Sequence, residues 1–216
     1  MATVSAPAPL VETVADLLRN LGDIPPERIH LNPYPATEKD VIEAEARFNR
    51  LCELVDGVLV EKPMGWYESR LAATLIGFME MFFQDHDVGI VLGADGMVRT
   101  EGQVRLPDVS FFLWSHFPNR LLPQGSILDL TPDLAVEILS PSNTEGEMKR
   151  KRREYFAGGA RLVWQVYPDM RRVRVYTTPD AFTELGEDET LDGSPVLPGF
   201  SLPVRRWFER AGQRQA

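Results

Sequence analysis

PDLAVEILSPSNTEGEMKRKRREYFAGG, residues 132–159, is the stretch on which the reading of the chain turns. Leu134-Ala135-Val136-Glu137-Ile138-Leu139 is an almost unbroken apolar run bounded by Pro132-Asp133 and Ser140-Pro141, which suits a strand buried within a sheet. One carboxylate, Glu137, sits inside it. Thr144 and Glu147 have capping-box spacing, so a helix is expected to start there and stop at Gly158-Gly159. That helix carries Lys149, Arg150, Lys151, Arg152 and Arg153. A charge run of this kind is often no more than a solvated face, which is the plain alternative to a role in gripping a phosphate backbone.

Downstream, Leu162 to Tyr167 and Val173 to Thr177 read as a hairpin, and the tail from Leu197 to Phe208 as a turn and a short helix. Upstream, Val104 to Trp114 reads as a strand interrupted near Pro107, Gly89 to Gly93 as a short strand, and Ala94 to Met97 as a turn. Residues 115–132 lack periodicity and are expected as a loop. Residues 66–84 place Leu71, Leu75, Phe78, Met79 and Phe82 on one apolar stripe, the mark of the main core helix. Asp56-Gly57 joins Glu53-Leu54-Val55 to Val58-Leu59-Val60 as a type I′ hairpin turn. Thr37 opens a short helix over residues 37–50. Residues 1–36, broken by Pro25-Pro26, Pro33 and Pro35, read as an N-terminal extension to a domain spanning residues 37–216.

With 216 residues and 44% hydrophobic composition, the chain can bury a sizeable core. Its single cysteine, Cys52, excludes an internal disulfide or a cysteine-based zinc cluster and suits a reducing, cytoplasmic setting. No apolar run is long enough to span a membrane, and the N-terminus lacks the basic segment of a leader. The net charge of −9 argues against non-specific coating of nucleic acid.

An ionised carboxylate in an apolar strand is costly unless paired or bound to metal, so Glu137 is either an arginine-paired strand-end acid or a ligand. Asp108 follows Pro107, and alternation puts it on one face with Ser110 and Phe112, where it can meet an acid of a neighbouring strand. Two such acids supply the oxygen ligands that a hard divalent cation takes. His30, His86 and His116 fall in separate irregular segments without ligand spacing. Trp164 and Tyr167 are expected in the core or an interface, with base stacking as the alternative.

The order LPD(108)V, PDLAVE(137)ILSPSN, EMKRK(151)RREYF, GGARLVWQVYP and LDGSPVLPGFSLPV, over about residues 50–208, resembles the Uma2 (DUF820) family. That resemblance implies the PD-(D/E)XK fold class: α+β, a restriction-endonuclease-like mixed sheet flanked by helices, here with an N-terminal helical extension. It also implies metal-dependent cutting of nucleic acid. By position, Asp108 and Glu137 would be metal ligands, with the backbone carbonyl of Ile138 as a third. Lys151, four residues before Tyr155, would replace the lysine expected two residues after the acid, where Leu139 stands. Glu68, near the start of the core helix, would be an additional acid, with a solvent-facing glutamate as the alternative; Glu53, near the same region, is the other candidate for that acid, although it reads first as part of the hairpin.

The function expected is a Mg2+- or Mn2+-dependent DNA endonuclease acting as a homodimer. A non-cutting binding protein that keeps the fold is the alternative, favoured by Leu139 and the acidic charge. A two-carboxylate glycoside hydrolase would need aromatic sugar platforms that the sequence does not announce.

Overall fold

The computed structural model describes residues 11, 13–63 and 65–212. Its helices are α1 (Val14–Asn20), α2 (Glu38–Phe48), α3 (Trp66–Phe83), α4 (Glu145–Ala157) and α5 (Val204–Ala211). The first strands are β1 (Ile29–His30), β2 (Cys52–Val55), β3 (Val58–Glu61), β4 (Gly89–Leu92), β5 (Met97–Thr100), β6 (Gln103–Arg105) and β7 (Val109–Leu113). They are followed by β8 (Ile127–Leu128), β9 (Leu134–Ile138), β10 (Leu162–Tyr167), β11 (Arg172–Tyr176), β12 (Phe182–Leu185), β13 (Thr190–Asp192) and β14 (Ser201–Pro203). Residues 1–10 and 12 of the N-terminal segment, in which no basic leader segment is expected, lie outside the described residues.

The class is α+β, as expected, but the strands form two six-stranded sheets and a small β13-β14 pair. The first sheet runs β1-β3-β2-β6-β5-β8 and the second β12-β11-β10-β9-β7-β4. Both are mixed, with β5 parallel to β8 and β9 parallel to β10. The single interrupted strand expected over residues 104–114 is in fact two: β6 belongs to the first sheet and β7 to the second. Leu106-Pro107-Asp108 carries the chain between them, since Pro107 cannot donate to a ladder. Within the expected loop over residues 115–132, short 3₁₀ turns form at Trp114–His116 and Pro118–Arg120, and β8 pairs with β5.

Period-two alternation divides the faces of the second sheet. Val109, Phe111, Val136, Ile138, Trp164 and Val166 pack with Leu71, Leu75 and Met79 of α3 and with Trp207 and Phe208 of α5. The opposite face presents Ala135 and Val163 to Tyr155 of α4. Glu137, two residues beyond Ala135, therefore faces α4. The first sheet reaches α4 from its other side, where Arg105 and Thr100 bind Glu154. A helix this charged is buried because its charges are paired across two sheets, so the solvated-face alternative holds only for its exposed Lys149 and Arg153.

Among residues 1–36, the described part is joined closely to the rest. β1 pairs with β3, and Arg150 donates to the Asn20 carbonyl at 2.7 Å. Gly22 meets Gly146 so closely that a Cβ on either would strike the other's backbone.

Candidate active site

β9 and β7 are antiparallel neighbours, with Val109 opposite Val136 and Ser110 opposite Ala135. Asp108 lies just before β7, where its amide donates to the Val136 carbonyl at 3.0 Å. Its Oδ2 in turn accepts the Ile138 amide at 2.6 Å. The backbone of one strand thus fixes the acid of the other. The SPSN segment shapes the exit from β9: Asn143 Oδ1 accepts the Ser140 amide and hydroxyl, at 2.9 and 3.0 Å, and turns the chain into α4. Thr144 caps α4 by accepting the Glu147 amide at 3.1 Å. The reciprocal half of the expected capping box does not form, because the Glu147 carboxylate takes Arg28 as a bidentate partner at 2.7 and 3.0 Å.

One turn further, α4 delivers Lys151 and Tyr155 to the sheet. Lys151 Nζ lies 3.2 Å from Glu137 Oε2 and 2.8 Å from Glu53 Oε1. The Tyr155 hydroxyl donates to Glu137 Oε1 at 2.6 Å. Glu53 also accepts Arg105 at 2.8 Å and the Leu106 amide at 3.1 Å. Lys62, immediately after β3, places its ammonium 2.9 Å from Asp108 Oδ1.

The two acids that share Lys151 respond differently. Burial pushes Glu137 up, the Lys151 charge opposes this, and the negative charges of Asp108 and Glu53 add to it; the carboxyl stays above its ordinary range. Burial also works against Glu53, but Lys151 and Arg105 together hold it down to about 2. The difference follows from geometry, since Glu53 has two cations and a backbone amide while Glu137 shares one cation at the longer distance. Lys151 is lifted above the usual lysine value by Glu137, Glu53 and Glu147, although burial opposes the charge.

Of the residues singled out in the sequence, Asp108, Glu137 and Lys151 thus come together, and the Ile138 amide binds Asp108. Glu68 is buried in the first turn of α3, its carboxylate against Gly65. The body of α3 packs on the face of the second sheet opposite that of Glu137. Glu53 joins the cluster from the first sheet, where it also belongs to the β2-β3 hairpin that the sequence predicts. A signal existed: Glu53 stands inside Cys52-Glu53-Leu54-Val55 just as Glu137 stands inside β9, a lone charge in a buried strand. Lys62 had no such signal.

The donors of this cluster are carboxylate oxygens, the kind that Mg2+ and Mn2+ take. Among the described residues, no group of three or more His, Cys, Asp and Glu side chains is arranged to hold a metal by itself. An ion held by Asp108 and Glu137 would need water or substrate to complete its shell, as Mg2+ commonly does.

The chain matches the Uma2 family, described as "Putative restriction endonuclease", over residues 46–205. A solved structure described as a "putative nuclease belonging to DUF820", from Anabaena variabilis ATCC 29413, aligns with a TM-score of 0.67 and 19% identity. The alignment covers 76% of this chain and 92% of that one, and at this identity it establishes the fold alone. No curated protein matches the chain.

Proposed function

The chain belongs to the Uma2 family, and on that premise we propose that it is a metal-dependent endonuclease that hydrolyses phosphodiester bonds of DNA. The observation that carries this reading is Lys151, buried between Glu53 and Glu137 while Asp108 is held on the adjoining strand. Asp108 and Glu137 would hold Mg2+ or Mn2+, with Glu53 as the third acid of the cluster and the Ile138 carbonyl as a further oxygen donor. When bound, such an ion supplies polarisation of the phosphodiester and acidification of water.

The chain's own groups account for the rest. The Tyr155 hydroxyl fixes one oxygen of Glu137, and the Ile138 amide fixes one of Asp108, so neither acid has to reorganise when substrate arrives. Lys151 is a preorganised positive charge for a phosphate oxygen as negative charge develops on it. A homodimer would present two such sites to two strands.

The test is cleavage of single- and double-stranded DNA and RNA with Mg2+ and with Mn2+, by the wild type and by Asp108→Ala and Glu137→Ala. Metal-dependent cleavage of DNA lost in both variants is the expected result. Preference for RNA would revise the substrate. One observation favours a non-cutting binding protein instead: each oxygen of Glu53, Asp108 and Glu137 already accepts a donor from the protein. Binding of nucleic acid without cleavage under every metal condition would establish that alternative.

A further inference from the structure

Lys62 is held as a cation in an ion site is held. Its ammonium lies 2.9 Å from Asp108 Oδ1, 2.7 Å from the Leu106 carbonyl and 3.1 Å from the Ala94 carbonyl. A carboxylate and two peptide oxygens are also what a hard metal ion would take there. The side chain is only 4% exposed, so this is its built position. Its amide is anchored as well, donating to the Leu51 carbonyl at 2.8 Å.

The charge balance points the same way. The carboxylates Glu53, Asp108, Glu137 and Glu154 are contacted by Lys62, Arg105, Lys151 and Arg150, the last of which also holds Asp56 at 2.9 Å. A divalent ion entering this cluster would meet oxygens that already have donors, Asp108 Oδ1 among them, and add two positive charges in a poorly solvated place. Departure of one ammonium removes the first obstacle and half of the second. Lys151 is enclosed, with a side chain 2% exposed between two acids. Lys62 instead borders a cleft of about 500 Å³, which is also lined by Arg28, Asn49, Arg50, Glu61 and Ser142. Asp108 itself is 14% exposed, against 1% for Glu53 and 5% for Glu137.

We propose that Lys62 is a resident cation on Asp108 that a divalent metal ion must displace into this cleft, so that Lys62 sets the metal affinity of the chain. The inference rests on the reading of Asp108 as a metal ligand. It makes Lys62 a competitor of the metal, the opposite of what a supporting residue would do.

The experiment is titration of the full chain with Mn2+, followed by calorimetry and by the electron paramagnetic resonance signal of free Mn2+, with no nucleic acid present. Lys62→Met should bind Mn2+ at least about tenfold more tightly than the wild type, because one competing charge near the ion has been removed. Asp108→Asn should lose binding in either background. Lys62→Gln, which keeps a donor for the two carbonyls, replaces the methionine variant if that one does not fold. Equal or weaker Mn2+ binding by the Lys62 variants, with wild-type binding still dependent on Asp108, overturns the inference and leaves the metal site standing. Absence of Mn2+ binding in wild type and Lys62 variants alike overturns the metal reading itself.

Discussion

Lys151 Nζ stands 2.8 Å from Glu53 Oε1 and so ties an acid of the first sheet to a helix packed on the second. The same ammonium reaches Glu137 at 3.2 Å. One charge therefore serves both the structure and the proposed chemistry. Removing it leaves two buried carboxylates short of a partner, and breaking a buried pair in this way costs about 3–5 kcal/mol. Lys151→Met should lower the thermal midpoint markedly and reduce cleavage by about a hundredfold or more. Pairing it with Glu137→Gln should recover part of the stability and none of the activity, which differential scanning fluorimetry and a cleavage assay would separate. Full activity in Lys151→Met would return the lysine to a purely structural role.

Glu137→Gln should behave differently. Lys151 keeps Glu53 at the shorter distance and Tyr155 keeps an oxygen to donate to, so the ion-pair network survives the loss. Near-normal stability with cleavage abolished is the expected outcome. A collapse in stability equal to that of Lys151→Met would show that Glu137 is the main partner of the lysine.

The third acid can be assigned by comparing Glu53→Gln with Glu68→Gln under one metal titration. Glu53 shares Lys151 with Glu137, whereas α3, which carries Glu68, packs on the far face of the second sheet. Glu53→Gln should therefore weaken cleavage and metal binding more. A larger effect from Glu68→Gln would place the acid of α3 in the reaction.

Acid sensitivity follows from the same residue. Glu53 is held down to about 2, so its stabilising contribution is complete above the ordinary carboxylate range of about 4.3 and is lost as pH falls towards 2. Glu147 is also lowered: burial pushes it up, but its hydrogen bonds from Arg28 and the Lys151 charge prevail. Glu137 has the opposite sign, because its raised carboxyl takes up a proton more readily in the folded chain and softens the first part of the loss. Thermal midpoints of the metal-free protein should fall most steeply below about pH 4.3, and Glu53→Gln should flatten that fall. An unchanged slope in the variant would mean that Glu53 contributes little to stability.

Cys52 should be inert in the native chain. Burial pushes its thiol up to about 11, and the nearby Glu61 charge adds to this, leaving almost no thiolate at neutral pH. A disulfide-exchange reagent should react with it only after denaturant unfolds the protein. Rapid reaction at pH 7.5 without denaturant would show that β2 opens locally.

Local pattern alone carried much of this protein. The helix over residues 66–84, the Asp56-Gly57 hairpin, the buried strand around Glu137 and the helix capped at Thr144 were legible because each depends on periodicity or turn chemistry within a short window. Glu137 stood out because a charge in an apolar strand is costly wherever the fold places it, and Asp108 because alternation put it on a face that a neighbouring acid could share. The division into two sheets was not legible, since β6 and β7 look like one strand until their partners are known. The Glu147 side of the cap was lost to Arg28, 119 residues away along the chain, and no local rule weighs such a partner. Glu53 and Lys62 entered the site for the same reason. Their positions come from packing the first sheet and the second against opposite sides of α4, and the charges that end up facing each other are decided only there.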